Sequence, residues 1–160
     1  MIFKGWPQIP IFNDHQKQVM SKAPLILSAS RATDIPAFYS DWFFQRLQRG
    51  YIKWINPFNG RFSYISFQKT RMVVFWTKNP KPIMPLLHRL DNQNIGYYFL
   101  FTLNDYEKEG FEPNLPPLEE RIQTFQRLAE QIGKKRIIWR FDPLMLTREL
   151  TEQKLIGRIQ

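Results

Sequence analysis

The sequence predicts an α/β fold, a partial TIM-like (βα) barrel of about four βα units with an inserted β-hairpin near 51–67, and three observations predict it. Four runs of β-formers, Leu25–Ser30, Val73–Trp76, Tyr97–Phe101 and Ile137–Trp139, each end in a short polar cluster. Segments with helical spacing or helix signals separate them, the pattern of parallel strands joined by right-handed crossovers. A complete barrel usually needs about 250 residues, whereas the chain has 160, so a half-barrel or an open parallel sheet is expected.

Residues 1–23 carry Trp6, Pro7, Pro10 and Asn13 without clear periodicity and read as an irregular or short-stranded lead-in, ahead of a single α/β domain over 24–160. Leu25–Ser30 is a buried strand. Thr33 or Asp34 is placed to cap a helix that begins near Pro36, since proline suits the first helical turn, and Phe38, Trp42, Phe43 and Leu47 form its apolar stripe up to a stop at Gly50. Tyr51–Ile55 and Phe62–Phe67 flank Asn59-Gly60, a strong hairpin signal; the unit is either an inserted hairpin or contributes its first arm as a barrel strand. Val73–Thr77 is the next buried strand, followed by a proline-marked helix over about Pro82–Leu90 and a strand over Tyr97–Leu103. After the Glu112–Pro117 loop, Ile122, Phe125, Leu128, Ala129 and Ile132 predict the longest helix, Leu118–Ile132. Arg136–Phe141 is the fourth strand, Asp142-Pro143 turns the chain, and Thr147 or Thr151 opens a last helix.

With 43% apolar and 16% aromatic residues the chain can bury a real core. It contains no run of about 18 uncharged apolar residues and no signal-peptide order at its start, so a soluble cytoplasmic protein without a membrane partner is expected. The formal net charge of +9 fits a nucleic-acid partner, yet the Lys and Arg residues are scattered and only Lys134, Lys135 and Arg136 are consecutive, as at a solvated helix end. With no cysteine, these residues form no disulfide, thiolate zinc site or cysteine-ligated iron–sulfur cluster. His15 and His88 stand alone, so no metal site is expected.

Because parallel α/β sheets place their sites at the carboxyl ends of strands, the four polar clusters are the candidate site. Ser28, Ser30, Arg31 and Asp34 lie where a strand feeds a helix and offer amides and a cation to an anion, or else cap the helix and pair internally. Trp76, Thr77, Lys78 and Asn79 offer an aromatic wall, a hydroxyl, a cation and an amide, or else a turn at Asn79-Pro80. Arg140 and Asp142 share one strand face, where Asp142 either fixes the Arg140 fork for an anionic ligand or forms a structural salt bridge with it. Thr102 and Asn104 complete the set or serve the turn. No catalytic residue is assigned.

At these clusters the chain resembles the bacterial domain-of-unknown-function family numbered 1848. The matching stretches run from Ser28 to Ser40, Asn56 to Asn59, Val74 to Pro82, Phe101 to Leu103, Glu112 to Pro117 and Ile138 to Pro143. The resemblance implies a protein nearly twice this length, with a radical-SAM-like barrel and a carboxyl-terminal cysteine cluster that looks like an iron–sulfur motif. This chain ends before that cluster, so an amino-terminal fragment, truncated product or split subunit is expected. An iron–sulfur cluster and S-adenosylmethionine are implied for full-length relatives only, and radical chemistry by this cysteine-free chain alone is excluded. The expected partners are a small anionic or nucleotide-like ligand and a carboxyl-terminal half, or a second copy joined through open sheet edges. The alternatives are a basic nucleic-acid-binding module and a fragment with no activity of its own.

Overall fold

The computed structural model describes residues 5–30 and 33–159. Its eight strands form two sheets of four. The parallel sheet takes the order β3-β6-β7-β8, with β3 at Ile26–Ala29, β6 at Met72–Thr77, β7 at Gly96–Thr102 and β8 at Ile137–Arg140. All three pairings in it are parallel, so every strand ends at one edge of the sheet. Among the described residues the sheet is open: β3 pairs only with β6, and β8 only with β7.

The second sheet, β1-β2-β5-β4, accounts for the lead-in and the hairpin. Strands β1 (Gln8–Phe12) and β2 (Gln18–Lys22) make an antiparallel hairpin, as do β4 (Tyr51–Ile55) and β5 (Phe62–Ser66), and β2 joins β5 in parallel. Tyr51–Ile55 is therefore an arm of an inserted hairpin and not a barrel strand. Gly60, at φ 67° in the Asn56–Arg61 turn, reverses the chain where an L side chain would be strained.

Helices α1 (Ile35–Phe38), α2 (Ser40–Arg49), α3 (His88–Asp91) and α4 (Leu118–Ile132) carry the crossovers, and α5 (Glu152–Ile159) follows β8. Phe43, Phe44 and Leu47 of α2, Leu90 of α3 and Leu128 and Ile132 of α4 form one buried cluster with Val73, Phe75, Tyr97, Phe99 and Phe101. Phe75 sits edge-on to Phe43 at 5.4 Å and stacks on Phe99 at 5.1 Å, joining helix and two strands through rings. Aromatic pairs of this kind add about 0.5–1.5 kcal/mol beyond their burial. Strand residues alternate faces, and none from the opposite face, which carries Ile26, Trp76, Ile138 and Arg140, joins that cluster.

Three expectations need correction. The helix over Pro82–Leu90 is instead a 3-10 turn at Met84–Leu86 followed by the four residues of α3, because Pro85 can donate no helical hydrogen bond. The helix after Asp34 breaks at Tyr39 into α1 and α2, which turns Phe38 and Trp42 outward and puts Phe44 inside. Lys134–Arg136 form a 3-10 turn beyond Gly133 rather than the end of α4.

Candidate functional site

The sequence points to twelve candidate residues, and the structure treats them differently. Arg31 lies outside the described residues. Ser30, at φ 75°, turns the chain out of β3, and its Oγ accepts from the Ile35 amide at 3.3 Å. Asp34 is the hub between β3 and β6. Its Oδ1 accepts from the Ala37 amide at 3.0 Å, the N-cap bond of α1. Its Oδ2 accepts from the Thr77 hydroxyl at 3.0 Å and the Lys78 amide at 2.8 Å. Burial pushes its carboxyl above the ordinary aspartate value, against the pull of those bonds.

Thr77 Oγ1 in turn accepts from the Asn79 amide at 3.0 Å, and Asn79 Oδ1 from the Lys81 amide at 3.2 Å. Lys78 is paired with Glu112, each side chain about one-quarter exposed. Asp34, Thr77, Lys78 and Asn79 are thus engaged with one another and with the loops around them.

The β6–β8 half is arranged otherwise. The Trp76 indole N–H donates to Ser28 Oγ at 3.2 Å, fixing the ring on the face opposite the helices. The Arg140 side chain crosses β7 and lays its guanidinium 4.5 Å from the Trp76 ring centre. Asp142 Oδ2 receives Nη2 of Arg140 at 2.8 Å. A guanidinium carries five N–H donors, and no other protein partner engages the Arg140 guanidinium among the described residues.

Thr102 is buried and sits opposite Arg140 in the β7–β8 register. Asn104, 1% exposed, donates from Nδ2 to the Asp142 carbonyl at 3.2 Å, while its Oδ1 has no hydrogen-bond partner among the described residues. A buried orphan acceptor costs about 1–3 kcal/mol. Beneath it, Arg121 of α4, 3% exposed, donates Nη1 to the Asn104 carbonyl at 2.9 Å and Nε to the Pro116 carbonyl at 2.9 Å, anchoring the 104–117 loop.

Sequence reading missed Glu112 and Arg121. Glu112 pairs with a residue 34 positions away, and no local periodicity signals that. Arg121 sits on a helix face otherwise occupied by Thr124 and Leu128, so a cation three and seven residues from buried positions was the available signal.

These residues carry no cysteine, and no group of three His, Asp or Glu suited to a metal exists among the described residues. The donor set for an iron–sulfur cluster is not met here. No helix among the described residues is long and apolar enough to cross a membrane.

A family model described as a domain of unknown function, number 1848, matches residues 26–160. No curated protein and no solved structure matches the chain.

Proposed function

Since the chain belongs to the domain-of-unknown-function family 1848, which brings no activity with it, we propose that its parallel sheet supplies half of a barrel mouth that binds a small anionic, nucleotide-like ligand. The observation that carries this reading is the Arg140 guanidinium, lying over the Trp76 ring, oriented by Asp142 and without another protein partner among the described residues. A planar fork held in this way offers paired N–H donors to a phosphate or carboxylate. Ser28 adds a hydroxyl at the edge of the same indole.

The half-barrel part of the proposal rests on the uncovered sheet. All-parallel sheets occur almost only with both faces covered, yet Ile26 and Ile138 on the face away from the helices are 54% and 47% exposed. In this reading a complementary βα half covers that face. An iron–sulfur cluster and S-adenosylmethionine belong to the proposal only through such a half, because the cysteines must come from it.

The chain's own residues then bind and orient: Trp76 gives a flat surface, Arg140 holds the anionic group, Asp142 keeps the fork in place, and Asp34 fixes the β3 and β6 loops relative to each other. Thermal shift with S-adenosylmethionine, AMP and inorganic phosphate, on the chain alone and beside the carboxyl-terminal half of a longer relative, tests it. Stabilisation that falls at least tenfold in apparent affinity in Arg140→Ala, and is only partly kept in Arg140→Lys, is expected. No shift with any probe in either setting overturns the reading.

A further inference from the structure

Where β3 meets α2 and the β4–β5 hairpin there is a groove of about 590 Å³, within the roughly 300–1,000 Å³ of small-molecule sites. Trp6, Trp42 and Trp54 line it, three of the five tryptophans in the chain, and each is about two-fifths exposed. Its lining holds no carboxylate among the described residues, and Lys22 is its one charged member. Indoles on several sides suit a flat π-system, while a lysine without a balancing acid selects against cations and favours an anion.

The groove is not isolated from the strand ends. Ser28 lies in its wall, and the same Oγ accepts the Trp76 indole N–H at 3.2 Å. Arg140 lies on the other side of that indole, 4.5 Å from its centre. From the groove wall to the guanidinium is therefore one hydrogen bond, one indole and one ring contact.

We propose that the tryptophan groove beside β3 holds the flat heteroaromatic ring of the ligand whose anionic end lies on Arg140, so that the ligand class is a nucleoside monophosphate or a close analogue. This rests on the strand-end reading above and adds to it a ring subsite. A second copy of the chain is the less suited occupant, because two chains of formal charge +9 repel.

Titration of the tryptophan fluorescence of the full chain separates the two subsites, with AMP, with adenosine, which lacks the charge, and with ribose 5-phosphate, which lacks the ring. Expected are saturable quenching by AMP and by adenosine, and by ribose 5-phosphate no more than the smaller change that its phosphate makes at Trp76 under Arg140. Trp54→Ala weakens both quenchers by roughly tenfold or more, the usual worth of one stacked ring, and Trp54→Phe restores most of it. Arg140→Ala weakens AMP alone. Circular dichroism of each variant checks that it folds.

If adenosine fails to quench while ribose 5-phosphate competes with AMP, the ring subsite is wrong and the strand-end reading stands. If adenosine quenches and Arg140→Ala leaves AMP unchanged, the strand-end reading falls, and the joined ligand with it. A signal that follows protein concentration alone, with a doubled mass by light scattering, places a second copy in the groove and overturns the proposal.

Discussion

The strand-end row divides into two halves built from the same residue types. At the β3–β6 half, Asp34 accepts three hydrogen bonds and Lys78 is matched to Glu112. At the β6–β8 half, Arg140 meets one carboxylate and one ring among the described residues and keeps donors that none of them matches. Polar density at a strand end therefore does not by itself mark a site. What separates the halves is whether the groups satisfy each other: a saturated cluster holds loops in place, and an unsaturated one can hold a ligand.

The sharpest way to break this comparison is at Asp34. Replacing it with alanine removes the α1 cap and strands the Thr77 hydroxyl and the Lys78 amide, so Asp34→Ala is expected to cost about 3 kcal/mol in urea denaturation. A loss below about 1 kcal/mol would show that the cluster is not structural. The pH dependence sharpens the same point. Burial raises the folded-state pKa of Asp34 above its unfolded value, so the stability it contributes is full below the unfolded value, about 3.9, and is lost as pH rises through the folded one. The stability difference between the protein and Asp34→Asn should therefore drift against the wild type as pH rises from about 4. Measuring a difference cancels Asp14 and Glu109, whose pKa values are lowered, that of Glu109 by hydrogen bonds from Arg158, and which act with the opposite sign.

How much of this was readable beforehand follows from how local each signal is. The α4 boundaries came directly from the 3.6-residue spacing of Ile122, Phe125, Leu128 and Ile132, and Gly50, at φ 81°, ends α2 as its residue type requires. The hairpin at Asn59-Gly60 and the cap at Asp34 were equally local. The parallel β2–β5 pairing was not, since it joins segments more than 40 residues apart that carry no shared motif. Trp42 was expected inward by periodicity, but the break at Tyr39 rotates α2 and leaves Trp42 43% exposed beside the groove. At the site, the residue types and their shared edge were legible. Which of them are matched was not, because Lys78 with Glu112 and Asp34 with Thr77 are long-range pairs.

An intermediate effect is expected at the Lys78–Glu112 pair. Both side chains are about one-quarter exposed, so a double-mutant cycle with Lys78→Met and Glu112→Gln should give a coupling of about 1 kcal/mol. Glu112→Gln alone also frees the Lys78 ammonium, which converts the matched half toward the unmatched one. Phosphate binding by Glu112→Gln should then be several-fold tighter than in the unsubstituted chain by isothermal titration. Unchanged or weaker binding would mean that the Lys78 side of the row does not face the anion.

The smallest stability effect should come from the residue on which the functional reading depends most. Arg140 is 29% exposed and its partner Asp142 55%, and such pairs contribute roughly 0–1 kcal/mol; its contact with Trp76 adds about 0.5–1 kcal/mol at a partly exposed site. Arg140→Ala is therefore expected to lower stability by about 1 kcal/mol, within roughly 0.5–2 kcal/mol, in the same urea series that shows the larger loss at Asp34. Ligand affinity should move the other way, with Arg140→Ala losing most of it. If instead Arg140→Ala destabilises as strongly as Asp34→Ala, the guanidinium is a brace between β6 and β8, both halves of the row are scaffold, and the ligand site must be sought in the groove alone.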